Sequence, residues 1–289
     1  MKPPAFDYVC ARSLDEAIDA LGRRPGEAKI LAGGQSLTPM LNFRLAHPGM
    51  LVDINRIPGI DAIRDDDGGV RIGTLARHRA IEVSDSIRKK FPILTAAAAH
   101  VGHLAIRNRG TFGGSIAHAD PAAEWPMLAL LLDAQIEAKG PQGARTIPAR
   151  EFFTTFLTTA LGDAEILTEV KLPALPAKTG WGFEELSRRP GDFALAAVAA
   201  IVTLDGKTIK DARISMGGVG GTPLRAPGAE ALLRGKPADA ALFEQAGKKA
   251  AEESDPSNDV HATADYRRHL VSVLTRRALT SAAEKAAQG

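Results

Sequence analysis

Two glycine-dense segments constrain the fold of this chain more than anything else in it. The first, Ala32-Gly33-Gly34-Gln35-Ser36-Leu37, closes a short apolar run from Ala28. A strand breaking into a glycine turn is the expectation. The second, Gly110-Thr111-Phe112-Gly113-Gly114-Ser115, follows an alanine-rich stretch, Pro92 to Leu104, that predicts a helix with proline near its start. The glycine density from Arg107 to Ser115 predicts that this helix does not continue. Consecutive backbone N–H groups in glycine turns converge on one concavity and bind anions without a lysine. Ser36, Thr111 and Ser115 add hydroxyls. Two such loops facing one another would hold a diphosphate from both sides, although either alone also fits a plain tight turn. Neither has the spacing of a Rossmann or Walker A loop.

The rest of the chain alternates strand and helix signals. Ser13 and Glu16 form a capping-box pattern ahead of the apolar stripe Leu14, Ala17, Ile18 and Leu21. Gly22 and Pro25 end that helix. Strands are expected at Leu51–Ile54, Val70–Gly73, Gln135–Ala138 and Ile166–Leu172, and helices at Leu75–Val83 and Trp125–Leu132. Pro173 and Pro176 mark a linker across 172–178. Beyond it, Gly180–Leu186, Ala194–Leu204 and Lys207–Gly217 read as three strands, with a hairpin signal at Asp205-Gly206. A third glycine cluster, Gly217 to Gly221, reads as a connection. Helices follow at Ala229–Leu233, Asp239–Glu252 and Thr263–Ala287.

Bulk properties exclude several classes. The chain has 289 residues, a net charge of +2 and no basic stripe interleaved with aromatics, so nucleic acid is not expected as a partner. Its one cysteine, Cys10, can neither close a disulfide within the chain nor ligate an iron–sulfur cluster alone. That usage fits a cytoplasmic protein. The N-terminus has no signal-peptide pattern, and the most apolar runs are short of the ~20 residues of a membrane helix. His100 and His103, with His118 and Asp120 downstream, lack a zincin glutamate and predict packing or cofactor lining rather than a metal site. Asp120 and Glu124 are expected as helix-start acids, with an acid/base pair as the alternative.

The two glycine segments, with Pro39-Met40, Arg44, Ile106-Arg107-Asn108-Arg109 and Ala119-Asp120-Pro121-Ala122, resemble the FAD loops of the molybdenum hydroxylase flavoproteins. These are the medium subunit of aerobic carbon monoxide dehydrogenase and the flavin domain of xanthine dehydrogenase. The resemblance continues through Arg188-Arg189-Pro190-Gly191-Asp192-Phe193-Ala194, Thr222 to Ala226, Glu230, Tyr266-Arg267-Arg268, Leu274 and Arg276-Arg277-Ala278, and so covers nearly the whole chain. It implies an α+β protein: a PCMH-type FAD-binding fold of the vanillyl-alcohol-oxidase kind over 1–175, with α/β subdomains of about 1–56 and 57–175. A C-terminal α/β domain of the CO dehydrogenase flavoprotein type, 178–289, would follow.

Carried over by resemblance, Ala32, Gly33, Gly34, Gln35, Ser36 and Leu37, with Thr111, Gly113, Gly114 and Ser115, wrap the FAD pyrophosphate. Asp120 bonds the ribityl or adenosine region. Phe193 lies near the isoalloxazine, at a position where relatives more often carry tyrosine. Gln35 stands where many relatives have histidine, so non-covalent FAD is expected. The resemblance also implies a large molybdenum-cofactor subunit and a small [2Fe-2S] subunit, assembled as a dimer of heterotrimers. No side chain here is then expected to act on the organic substrate. A free-standing FAD oxidase of the same fold is the alternative.

Overall fold

The computed structural model describes residues 2–289. Ser13 starts the first helix as its sequence requires: its hydroxyl accepts from Glu16 N at 3.1 Å. The reciprocal arm differs slightly, since Glu16 Oε2 accepts from Arg12 N, one residue before the cap, at 2.8 Å. The N-terminal unit comprises β1 (Asp7–Cys10), α1 (Leu14–Arg23), β2 (Ala28–Leu31), α2 (Leu37–Asn42) and β3 (Met50–Asp53). Its strands are parallel in the order β1-β3-β2. Ala17, Ile18, Ala20 and Leu21 of α1 are buried in this unit's own small core.

The second unit is larger. Its first part contains β4 (Ile63–Asp66), β5 (Gly69–Gly73), α3 (His78–Val83), α4 (Asp85–Lys90), α5 (Pro92–Ala98), α6 (Leu104–Arg107), α7 (Phe112–His118) and α8 (Glu124–Leu131). There follow β6 (Gln135–Gly140), β7 (Gly143–Pro148), α9 (Ala149–Phe152), β8 (Phe153–Thr155), β9 (Thr158–Thr159) and β10 (Ile166–Leu172). Five of these strands form an antiparallel sheet, β4-β5-β10-β6-β7. The helix expected over Pro92–Leu104 breaks after Ala98, because the chain turns at Gly102 with φ +50° before α6 begins.

The second glycine segment is not a loop. Thr111 Oγ1 accepts from Gly114 N at 3.1 Å and caps α7, so Gly113, Gly114 and Ser115 lie inside a helix. Gly113 also needs its missing side chain for packing. A Cβ there would meet Thr74 Oγ1 at 2.0 Å.

After the linker come β11 (Thr179–Ser187), β12 (Ala194–Asp205), β13 (Thr208–Gly217) and β14 (Leu224–Arg225), an antiparallel meander in sequence order. Asp205 pairs with Thr208, so Gly206 and Lys207 make the two-residue turn, with Gly206 at φ +60°. The helices α10 (Pro227–Leu233), α11 (Ala240–Glu252) and α12 (Ala264–Gln288) complete the chain. Eleven residues of β12 are buried in succession. The alternation expected of a half-buried strand is absent because both faces are covered. Ala197, Ala199 and Ile201 join the core of the second unit, while Ala196, Val198, Ala200, Val202 and Leu204 join a core with α10–α12.

Candidate functional site

The first glycine segment and the start of α7 meet with no space between their backbones. A Cβ on Gly33 would lie 2.4 Å from Arg109 O and 2.7 Å from Gly110 Cα, and one on Gly114 would lie 3.6 Å from Ala32 Cβ. Gly34 turns the chain at φ +72° into α2. Among the described residues, the N–H groups of Gly33, Gly34, Gln35 and Ser36 have no acceptor within the chain, and all four residues line a cavity of about 670 Å³.

The two segments are unlike in one respect. The amides of Gly113, Gly114 and Ser115 donate to Thr74 O, Thr111 Oγ1 and Thr111 O. Most free backbone donors therefore come from the first segment; the second adds the Thr111 N–H, presents Thr111, Gly114 and Ser115 at the cavity wall and keeps Gly113 behind it.

The cavity has three regions. The glycine segments form the middle. At one side Gly26, Lys29 and Ile30 face Leu157–Thr159 and Leu161–Asp163; a Cβ on Gly26 would lie 3.8 Å from Asp163 Oδ2. At the other, Val101, Gly102, His118, Asp120 and Glu124 face Gly191, Asp192 and Phe193. Gly191 packs directly on His103, and Phe193 is 60% exposed, so the ring stands at the mouth rather than in the wall. Of the residues expected at a cofactor site, Ala32 to Leu37, Thr111, Gly114, Ser115, Asp120 and Phe193 share this one cavity.

Sequence reasoning missed the first region, the buried His78, and the burial and Glu185 partner of Glu124, which it read as a helix-start acid. Glu124 is the first residue of α8 and is 7% exposed; burial, and then the nearby Glu185 carboxyl, push it up to about 8. Glu185 Oε2 is itself buried without a hydrogen-bond partner, and His100 Nδ1 lies 3.7 Å from Glu185 Oε1, which raises His100. His78 lines the cavity and accepts from Trp125 Nε1 through Nδ1 at 2.9 Å. Burial, with Arg77 and Arg107 nearby, depresses it to about 4, so it is neutral with its proton on Nε2. No sequence spacing signals these environments, because the partners, Trp125 for His78 and Glu185 for Glu124, are distant in the chain.

Asp120 caps the turn before α8, with Oδ1 accepting from Ala122 N at 2.9 Å. The His100, His103 and His118 side chains do not converge: among the described residues no three His, Cys, Asp or Glu side chains are grouped to hold a metal. Gly217 to Gly221 lies outside the cavity, and Gly218 N donates to Pro121 O at 2.8 Å, which makes the cluster a packed connection.

A cavity of this size, with a row of unpartnered amides on its wall, fits a dinucleotide with a central diphosphate. The comparisons agree. The family described as the FAD binding domain in molybdopterin dehydrogenase matches residues 4–175, and the CO dehydrogenase flavoprotein C-terminal domain matches 181–282. The 6-hydroxypseudooxynicotine dehydrogenase complex subunit alpha of Paenarthrobacter nicotinovorans is 44% identical over 99% of this chain and 97% of its own. The carbon monoxide dehydrogenase medium chain of Hydrogenophaga pseudoflava is 36% identical over 98% of each chain. A crystal structure of quinoline 2-oxidoreductase from Pseudomonas putida 86 superposes with a TM-score of 0.95 at 38% identity, over 99% of this chain and 100% of that one. The chain therefore belongs to the family of FAD-binding medium subunits of carbon monoxide dehydrogenase and related molybdenum hydroxylases.

Proposed function

We propose that this chain holds FAD non-covalently in the cavity between the glycine segments and passes electrons from [2Fe-2S] clusters of a partner subunit to an external acceptor. The observation that carries the placement is the run of free amides from Gly33 to Ser36 on the wall of the large cavity. In this reading those amides and the Ser36 hydroxyl hold the diphosphate. Thr111, Gly114 and Ser115 close the opposite wall, with Gly113 supporting it from behind.

Lys29, Ile30 and the 157–163 stretch receive the adenosine end, while Asp120 and Phe193 lie toward the redox ring. Phenylalanine at 193 offers a stacking face without a hydroxyl. The FAD-binding part is 1–175, in halves of about 1–56 and 57–175, and the C-terminal domain is 178–289, a division supported by the separate sheets.

Bound FAD supplies the redox chemistry; the chain binds it, orients it and excludes other partners. With Cys10 as its one cysteine it cannot carry the clusters, which supports a separate iron–sulfur subunit, and relatives named as a complex subunit and a medium chain support further partners; in this reading a large molybdenum subunit completes a dimer of heterotrimers in the cytoplasm. Relatives named for a nicotine derivative, carbon monoxide and quinoline match over almost their full length, which supports a substrate pocket on another chain. No helix among the described residues is long and apolar enough to cross a membrane.

The test is to titrate the folded, flavin-free chain with FAD. A visible flavin band that dithionite bleaches, with measurable binding heat, is expected. A colourless protein without binding heat would end the proposal. Co-purification from the source cell with an iron–sulfur chain and a molybdenum chain is expected of a subunit; active, flavin-loaded chain recovered alone would mark a free-standing oxidase.

A further inference from the structure

The two cavity-forming segments come from different units, and something must hold them in register. Asn55, just after β3, stands between them. Its Nδ2 donates to Ala32 O at 2.7 Å, and its Oδ1 accepts from Arg77 Nη2 at 2.8 Å. The same guanidinium donates through Nη1 to Arg109 O. One amide and one guanidinium thus join the carbonyl just before Gly33 to the carbonyl just before Gly110.

Both residues are fixed in turn. Asp53 Oδ1 accepts from Asn55 N and Nδ2 at 2.8 and 2.7 Å, while Asp53 Oδ2 accepts from Tyr8 Oη at 2.6 Å. Arg77 forms an isolated antiparallel bridge with Thr111, and His78 N donates to Gly110 O at 3.1 Å. Neither Asn55 nor Arg77 lines the large cavity; Asn55 lines a smaller cleft that shares Ala32 to Gln35 with it.

We propose that Asn55 and Arg77 are positioning residues: a staple that sets the spacing of the two segments and, through it, the affinity for a dinucleotide that spans them. This rests on the cavity being the FAD site. Because the network ties two backbone carbonyls rather than filling a core, cutting it loosens the grip without unfolding either unit. Because each member works only through the other, removing both costs little more than removing one.

The experiment measures the Kd for FAD of the flavin-free full chain as wild type, Asn55→Ala, Arg77→Gln and the double variant, with melting temperatures alongside. Each single variant is expected to bind about tenfold or more weakly, the double variant about as weakly as either single, and melting points to stay within about 3 °C of wild type. Arg77→Lys, which keeps the charge and one reaching donor, is expected to fall between wild type and Arg77→Gln. Single variants that bind like wild type, losses that multiply in the double variant, or affinity that falls only in step with the melting point would each overturn the staple. Wild-type chain that binds no FAD would instead overturn the reading on which it rests.

Discussion

Glu124 shows how much of a residue's chemistry lies outside its sequence context. The segment from Asp120 to Trp125 marks a helix start, and Glu124 is indeed the first residue of α8. What the local sequence does not carry is Glu185, on β11, which adds to burial in raising the Glu124 carboxyl from 4.5 to about 8. A carboxyl that holds its proton more tightly in the folded state than in the unfolded one stabilises the fold most at low pH. That contribution is complete below the unfolded value of 4.5 and is lost as pH rises through about 8.

Glu124→Gln keeps the shape and cannot ionise. The flavin-free variant is expected to melt with wild type near pH 5 and about 5 °C above it near pH 9. Parallel melting curves for the two proteins across that range would show that Glu124 ionises freely in the fold.

At the scale of elements, the contact between α12 and β11 depends on two glycines. A Cβ on Gly182 would lie 2.0 Å from Ala278 O, and one on Gly180 would lie 1.9 Å from Ala282 O. The helix backbone therefore rests directly on the strand, with Ala278, Ala282 and Ala286 as its buried face. Gly182→Ala forces them apart and is expected to destabilise the chain by about 1–3 kcal/mol, measured by urea unfolding. A change below about 0.5 kcal/mol would mean that the helix shifts without cost.

The long apolar elements were legible in the sequence: α1, β10, β12 and β13 lie where periodicity and turn residues put them. Edge and short strands were not. β1 and β4 have no buried residue and β7 has one, so no apolar alternation marks them, and only their pairing makes them strands. The helical character of the second glycine segment was hidden for a different reason. Gly113 and Gly114 disfavour a helix locally, but the Thr111 cap and the close seat on Thr74 override that preference. The proximity of the two segments could be anticipated only from their resemblance to known FAD loops.

In the whole molecule, the proline-bearing linker suggests a C-terminal domain that could stand alone, and the packing argues otherwise. One continuous core runs from Val70 on β5 through Trp125 and Leu128 on α8 to Ala199 and Ile201 on β12. Polar contacts cross the same boundary: Ser215 Oγ donates to Met127 O at 3.0 Å, and Arg213 pairs with Asp133 at 2.8 Å. An interface that carries core residues of both parts couples their stabilities, so neither melts independently. Calorimetry of the flavin-free chain is expected to give a single transition. A fragment ending at Pro176 would leave the α5 and α8 face that β11 and β12 cover exposed to water, and is expected to aggregate or to melt well below the full chain. A monomeric fragment with the full chain's melting point, or two resolved transitions in the intact protein, would show that the shared core contributes little to holding the parts together.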